Sequence, residues 1–278
     1  DMHSRLESLT IHSALESPGP APNLIVWPEV PAPMYYDSDV VLRAQVAGVA
    51  RAAHAYLLLN AVPHTASGAP LNSALLISPS GQRVGRYDKM NLVPFGEYVP
   101  SVFTALVAKV STEAGNFEPG LRQVTLPAGR HNIGAFICYE SVFPDFVRKF
   151  AADGADLLVN ISNDGWYGTS AARYQHLKIL RMRAAENNRW ILRATNDGIT
   201  ATIDPAGRVR EDLPAYVYDA ARTSYSYADA VTFYSRYGDW FVWLCALIAA
   251  AGLVAVFLAR LWQTLKQVPQ QQLAEPQE

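Results

Sequence analysis

Short apolar runs bounded by turn residues recur along the chain at Leu24–Trp27, Ala55–Leu59, Ser73–Ile77, Ile133–Ile137, Asp156–Asn160, Trp190–Ala194 and Ile199–Ile203. Runs this short suit buried strands better than helices. Two longer stretches between them have helical spacing. Ser38–Ala53 gathers Val40, Val41, Ala44, Ala47, Gly48 and Ala52 on one face, and Arg173–Asn188 places Leu177, Leu180 and Ala184 three to four residues apart with charges between. The segments Ile77-Ser78-Pro79-Ser80-Gly81 and Ile203-Asp204-Pro205-Ala206-Gly207-Arg208-Val209 predict hairpin turns. Strands interspersed with helices imply a layered α/β domain, and no repeat or linker divides residues 1–230.

The pattern changes at Trp240. From there to Leu258 (WFVWLCALIAAAGLVAVFL) no charged residue occurs. A run of this length, extended by Ala259 and Leu261-Trp262, nearly crosses a hydrocarbon core of about 30 Å. Trp240, Trp243 and Trp262 stand where interfacial aromatics are found. The alternative is the core helix of a soluble protein, but the missing polar face and the flanking Trp residues favour a span. The chain is therefore expected to divide into a domain at 1–235, a membrane helix at 236–262 and a disordered, Gln-rich polar tail at 263–278. Arg236 and Asp239 precede the span and Arg260 and Lys266 follow it. The excess of positive charge after the span points to a cytoplasmic C-terminus with the domain on the opposite face. The chain opens at Asp1 without an initiator Met or a signal-peptide pattern, so membrane segments or a targeting signal are expected upstream.

Charge narrows the function classes. Lys and Arg total 23 against 25 Asp and Glu, a net charge of −2 with no basic stripe, which speaks against nucleic acid as a partner. The 6 histidines are scattered without HxxxH spacing, no CxxC pair occurs, and no metal site is expected. The glycines Gly81, Gly85, Gly96 and Gly120 are spaced as turn glycines rather than as a phosphate loop.

Of the 2 cysteines, Cys245 lies in the C-terminal apolar run, so Cys138 is expected to be a free thiol. Cys138 ends the apolar run of Gly134-Ala135-Phe136-Ile137-Cys138-Tyr139-Glu140, as a nucleophile does when a buried strand delivers it to a pocket mouth. Two other loops carry charge out of apolar surroundings. One is Leu24-Ile25-Val26-Trp27-Pro28-Glu29, and the other runs from Tyr87 through Asp88, Lys89 and Glu97 to Pro100. A carboxylate, an ammonium and a thiol converging there could perform acyl chemistry. The spacing alone leaves other roles open: Glu29 as a surface residue, Lys89 as a solvated turn lysine, Cys138 as a core thiol.

The motifs WPE, YDKxxLVPFGEYVP and CYExxFP resemble the Glu-Lys-Cys arrangement of the nitrilase superfamily. LVPFGEYVP, CYESVFPD and NISNDGWYGTSAARYQH resemble the apolipoprotein N-acyltransferase branch in particular, over about Leu24–Val209. The resemblance implies a nitrilase-like α-β-β-α sandwich followed by a single transmembrane helix, with several membrane helices ahead of the domain. It implies Glu29 as general base, Lys89 as oxyanion-stabilising ammonium, Cys138 as nucleophile and Glu97 as the carboxylate that orients Lys89. The Tyr139 backbone N–H would join the oxyanion hole, Tyr139 and Glu140 would support the site, and Asn72 would lie near the pocket. Trp166 and Tyr167, between Gly165 and Gly168, would form a mobile substrate loop, although packed aromatics in a glycine-rich turn would read the same way.

The implied reaction is two-step acyl transfer without metal or organic cofactor. A phospholipid would acylate Cys138, and the N-terminal diacylglyceryl-cysteine of an apolipoprotein would accept the acyl group. A monomeric enzyme of the bacterial inner membrane is expected, its domain on the outer, periplasmic face. The alternative activity is a membrane-tethered nitrilase-type amidase acting on a small amide, and outside enzymes a catalytically inert membrane-anchored scaffold.

Overall fold

The computed structural model describes residues 2–16, 23–29, 33–99 and 116–267. Contacts divide the chain into Asp1–Arg236 and Tyr237–Glu278.

The first unit contains two sheets. Strands β1 (Leu24–Val26), β2 (Tyr56–Ala61), β3 (Ser73–Ile77) and β4 (Arg83–Asp88) form one in sequential order, with β1 parallel to β2 and the rest antiparallel. The other contains β5 (Leu126–Ala128), β6 (His131–Ile137), β7 (Leu157–Ser162), β8 (Ile191–Thr195), β9 (Thr200–Ile203) and β10 (Val209–Leu213) in the order β10-β9-β8-β7-β6-β5. Its centre, β6-β7-β8, is parallel.

Alternation along the strands explains the layering. Leu58, Ala74 and Leu76 share one apolar cluster with Ile133, Ala135, Leu158 and Ile161 of the second sheet. Their sequence neighbours Leu57, Leu59, Leu75 and Ile77 point the other way, into a cluster with Leu42, Val46, Val49 and Ala50 of helix α2 (Val40–Ala53). Successive side chains of a strand face opposite layers, so a strand covered on both faces becomes a continuous apolar run. Helices α3 (Pro144–Ala152) and α4 (Ala172–Asn187) pack with the second sheet through Val147, Phe150, Leu180 and Ala184. The result is the expected α-β-β-α sandwich. Helix α1 (Met2–Ile11) is tied to β1's end by the Trp27 indole, whose Nε1 donates to Thr10 Oγ1 at 2.9 Å.

Local chemistry sets the element ends. Asp39 caps α2 by accepting from the Leu42 N–H at 3.0 Å. Pro144 occupies the first turn of α3, where its missing N–H leaves no bond unmade. Both expected hairpin turns form: Ser78 N–H donates to Gln82 O at 2.8 Å, and Asp204 N–H to Arg208 O at 2.9 Å. Three strands went unmarked by apolar runs. Two of them, β4 and β10, are rich in charge because they are edge strands with exposed positions, and β5 is three residues long. A strap after β10 returns across the sandwich, with Tyr227 stacked on His131 at 3.5 Å and Ala230 O accepting from Arg189 Nη1 at 2.7 Å. It ends in the short helix α5 (Phe233–Tyr237).

The second unit is dominated by α6, Trp240–Gln267. Its stretch Trp240–Lys266 is long and apolar enough to cross a membrane, and none of its most apolar window is buried. The helix extends five residues beyond the expected boundary at Trp262, through Gln263–Gln267, because nothing in QTLKQ breaks it. The rest of the expected disordered tail, 268–278, lies outside the described residues.

Candidate active site

Glu29, Asn72, Lys89 and Glu97 meet in one buried cluster, each delivered by the end of a strand or the loop beyond it. Asn72 immediately precedes β3 and Lys89 immediately follows β4; because β3 and β4 are antiparallel, the two lie side by side. The Lys89 N–H donates to Asn72 O at 2.8 Å, fixing that register. Asn72 Nδ2 then bridges the two carboxylates, donating to Glu29 Oε1 at 2.7 Å and Glu97 Oε1 at 2.8 Å. Its Oδ1 accepts from Asn60 Nδ2 at 2.8 Å, which fixes the orientation of the amide.

Lys89 is 1% exposed. Its Nζ lies 2.8 Å from Glu97 Oε1 and 3.7 Å from Glu29 Oε1. Burial pulls the lysine pKa down, but Glu29, Cys138 and Glu97 together raise it above its ordinary value, so the side chain is an ammonium. Glu97 Oε2 also accepts the Val93 N–H at 2.8 Å, so the Pro94–Gly96 turn is closed by the carboxylate that holds Lys89. Gly120 completes the mount. Its N–H donates to Lys89 O at 2.8 Å, and a Cβ there would sit 2.1 Å from Asp88 O.

Cys138 follows β6 directly and opens a 3₁₀ turn, Cys138–Val142. Its φ of +49° is left-handed, an arrangement that costs a non-glycine residue about 1–3 kcal/mol and persists only where its surroundings hold it. Glu140 enforces it. The fully buried carboxylate accepts from Ile137 N at 2.8 Å through Oε2, and from Tyr87 Oη at 2.6 Å, Met90 N at 2.8 Å and Asn91 N at 3.1 Å through Oε1. One side chain therefore locks the cysteine turn to the loop that carries Lys89. Burial raises the Glu140 pKa, and those donors oppose the rise.

The Cys138 thiol feels both partners. Burial pushes it up to about 12, helped by Glu29 and opposed by Lys89 and by a hydrogen bond with Ser162. At neutral pH this favours the thiol form. Glu29 Oε2 accepts from the Asn163 N–H at 2.8 Å, so two donors, Asn163 and Asn72, orient this carboxylate.

The remaining expected residues are placed as follows. The Tyr139 ring packs edge-on against Phe143 at 5.1 Å. Trp166 is 66% exposed on a 3₁₀ turn, Asp164–Tyr167, while Tyr167 turns inward against the His176 ring at 5.7 Å. Burial, with the nearby Cys138 and Asp164, raises the Tyr167 pKa.

Four residues that the sequence did not single out complete the site. Asn163 contacts Glu29, and Asp164, His176 and Arg193 form a buried polar cluster that meets Cys138 at its carbonyl. Asn163, Asp164 and His176 all sit inside NISNDGWYGTSAARYQH, and Arg193 is a lone charge in the strand run WILRAT, which was the available signal. Among the described residues, no group of three His, Cys, Asp or Glu side chains is arranged to hold a metal ion.

The carbon-nitrogen hydrolase family model matches residues 8–217. Among curated proteins, the chain is 38% identical over 246 residues to an apolipoprotein N-acyltransferase of Geobacter metallireducens, covering 87% of this chain and 47% of that protein. It is 36% identical over 265 residues to one from Pseudomonas paraeruginosa, covering 92% and 49%. The chain thus spans about half the length of the curated relatives it matches. Among solved structures, it resembles a cysteine-to-alanine mutant of the Nesterenkonia AN1 amidase from the nitrilase superfamily, with a TM-score of 0.57, 20% identity and coverage of 77% of this chain and 82% of that one. That likeness is one of fold. The chain belongs to the carbon-nitrogen hydrolase family.

Proposed function

We propose that this chain is the catalytic part of a membrane-bound N-acyltransferase that moves an acyl group from a phospholipid to the N-terminal diacylglyceryl-cysteine of apolipoproteins. The observation that carries the reading is the buried juxtaposition of Glu29, Lys89 and Cys138 on a carbon-nitrogen hydrolase fold. The curated relatives' names, apolipoprotein N-acyltransferase, supply the substrate class. Helix α6 would anchor the unit where both lipid substrates reside, in the bacterial inner membrane with the catalytic unit on the outer, periplasmic face.

In this reading Glu29 takes the Cys138 proton as sulfur attacks the ester carbonyl of the phospholipid. Lys89 Nζ and the Tyr139 N–H stabilise the oxyanion, donors of this kind being worth about 3–4 kcal/mol each. The C–O bond breaks, Glu29 returns the proton to the departing alkoxide, and a lysophospholipid leaves a thioester on Cys138. The acceptor amine then attacks the thioester and gives a proton to Glu29. The C–S bond breaks, and the proton passes back to sulfur. A thioester suits this task because it stays reactive toward amines, and the apolar surroundings hold water away.

The test is transfer from a radiolabelled phospholipid to a synthetic diacylglyceryl-cysteinyl peptide in detergent micelles. Label on the peptide amine supports the reading. Hydrolysis of a small amide, with no transfer to peptide, would instead indicate a tethered amidase.

A further inference from the structure

The polar cluster behind Cys138 has no part in the proton transfers above, and its geometry is specific. Asp164 is completely buried and paired with Arg193, whose Nη2 donates to Asp164 Oδ2 at 2.6 Å. Arg193 is itself fixed, donating through Nη1 to Asn160 Oδ1 at 2.7 Å and through Nε to Ile199 O at 3.0 Å. Gly198 makes room for this pair, since a Cβ there would lie 2.1 Å from Asp164 Oδ2.

Two arms reach from this pair toward the cysteine. Along one, the Ser162 hydroxyl donates to Asp164 Oδ1 at 2.8 Å. Along the other, His176 Nδ1 lies 3.2 Å from Asp164 Oδ1, while Nε2 lies 3.1 Å from Cys138 O and 2.7 Å from Ser141 Oγ. Donation to the Cys138 carbonyl requires the proton on Nε2; Nδ1 then accepts from Arg193 Nη2 at 3.3 Å and makes no bond to Asp164 Oδ1, so the guanidinium is what ties the ring to the pair. Burial and the Arg193 charge lower the imidazole pKa, which favours the neutral ring. Helix α4 brings His176 there on the face it shares with Arg173, Leu180 and Ala184.

We propose that His176 is a positioning residue that holds Cys138 by its carbonyl, and that Ser162 is one that steadies the Asp164–Arg193 pair on which His176 is anchored. The strained φ of Cys138 would relax without that grip, moving sulfur out of line with Glu29 and Lys89. Asp164 also begins the turn that carries Trp166 and Tyr167, and Tyr167 packs on His176. The aromatic loop and the nucleophile therefore share one mount, and a shift in the loop is felt at the sulfur.

This inference rests on Cys138 being the nucleophile and is independent of the lipid substrate. Its test uses the full chain in detergent and p-nitrophenyl butyrate, reading first-turnover acylation by the nitrophenolate burst and mapping the butyryl group to Cys138 by mass. His176→Ala should slow acylation about 20-fold or more with half-saturation almost unchanged, the scale expected of small misplacements at a reacting centre. His176→Gln, which keeps a donor near the ε position, should recover most of that loss. Ser162→Ala, a small truncation that keeps the fold available where His176→Ala does not, should slow acylation about tenfold. Equal losses in the Gln and Ala variants, or wild-type rates per folded molecule in the His176 or Ser162 variants, would overturn the assignment. Butyryl transfer to Cys138 without any transfer from phospholipid would fail the acyltransferase reading and leave this one intact; no butyryl on Cys138 at all would fail both.

Discussion

Lys89 is bonded to Glu97 at 2.8 Å and only neighbours Glu29, at 3.7 Å. In the proposed mechanism the two carboxylates consequently have different work. Glu97 is committed to the ammonium and to the Val93 N–H, whereas Glu29 keeps an oxygen whose interaction with Lys89 is through space. A base tied directly to the ammonium would be too weak to accept a proton from a thiol that burial pushes up to about 12.

Glu97→Gln should therefore reduce acylation of Cys138 about 10- to 100-fold, the worth of a buried hydrogen bond to a charged group. The burst assay measures it, and wild-type rates would mean that Glu97 only shapes the Val93–Glu97 turn.

Glu29→Gln separates base from field. Glu29 raises the Cys138 pKa, so removing its charge lowers that pKa and leaves more thiolate at a given pH. Alkylation by iodoacetamide near pH 9 should quicken, while acyl transfer, which needs a proton acceptor, should fall by about 100-fold or more. In the wild type, alkylation should climb with pH toward about 12. A parallel fall of both rates in the variant would contradict the base role.

Glu140→Ala leaves its buried donors without an acceptor: the Ile137, Met90 and Asn91 N–H groups and the Tyr87 hydroxyl. A loss of about 3 kcal/mol or more is expected, since each stranded buried group costs about 1–3 kcal/mol. Chemical denaturation of the detergent-solubilised protein reads it. A loss under about 1 kcal/mol would mean that water or repacking replaces the carboxylate.

Trp166→Ala should leave the denaturation midpoint unchanged because the side chain is 66% exposed. Acylation by a long-chain phospholipid should fall several-fold while acylation by p-nitrophenyl butyrate holds, as expected of an aromatic that meets acyl chains. Equal effects on both donors would make the loop a structural turn.

Much of this was legible in the sequence, for physical reasons that differ by element. The runs that became β2, β3, β6, β7 and β8 were visible because layers cover both faces of those strands, which leaves little room for polar side chains. Edge strands such as β4 and β10 must show charge to solvent, so periodicity gave no sign of them. Spacing suggested that Glu29, Lys89 and Cys138 could converge, and motif resemblance assigned their roles; the contacts among Glu29, Asn72, Lys89 and Glu97 come from strand register, which no local pattern encodes. His176 remained hidden because a lone histidine on a helix carries no mark of the carbonyl it will meet, 38 residues earlier in the chain.

The most direct test of the central claim is intact-protein mass spectrometry after incubation with phospholipid in detergent micelles, with Cys138→Ala in parallel. The account predicts an acyl-sized mass gain that hydroxylamine removes and that the variant lacks, while the variant keeps the wild-type fold by circular dichroism. An adduct of the same mass on folded Cys138→Ala, or no adduct on wild-type protein whose Cys138 accepts butyrate from the activated ester, would contradict it.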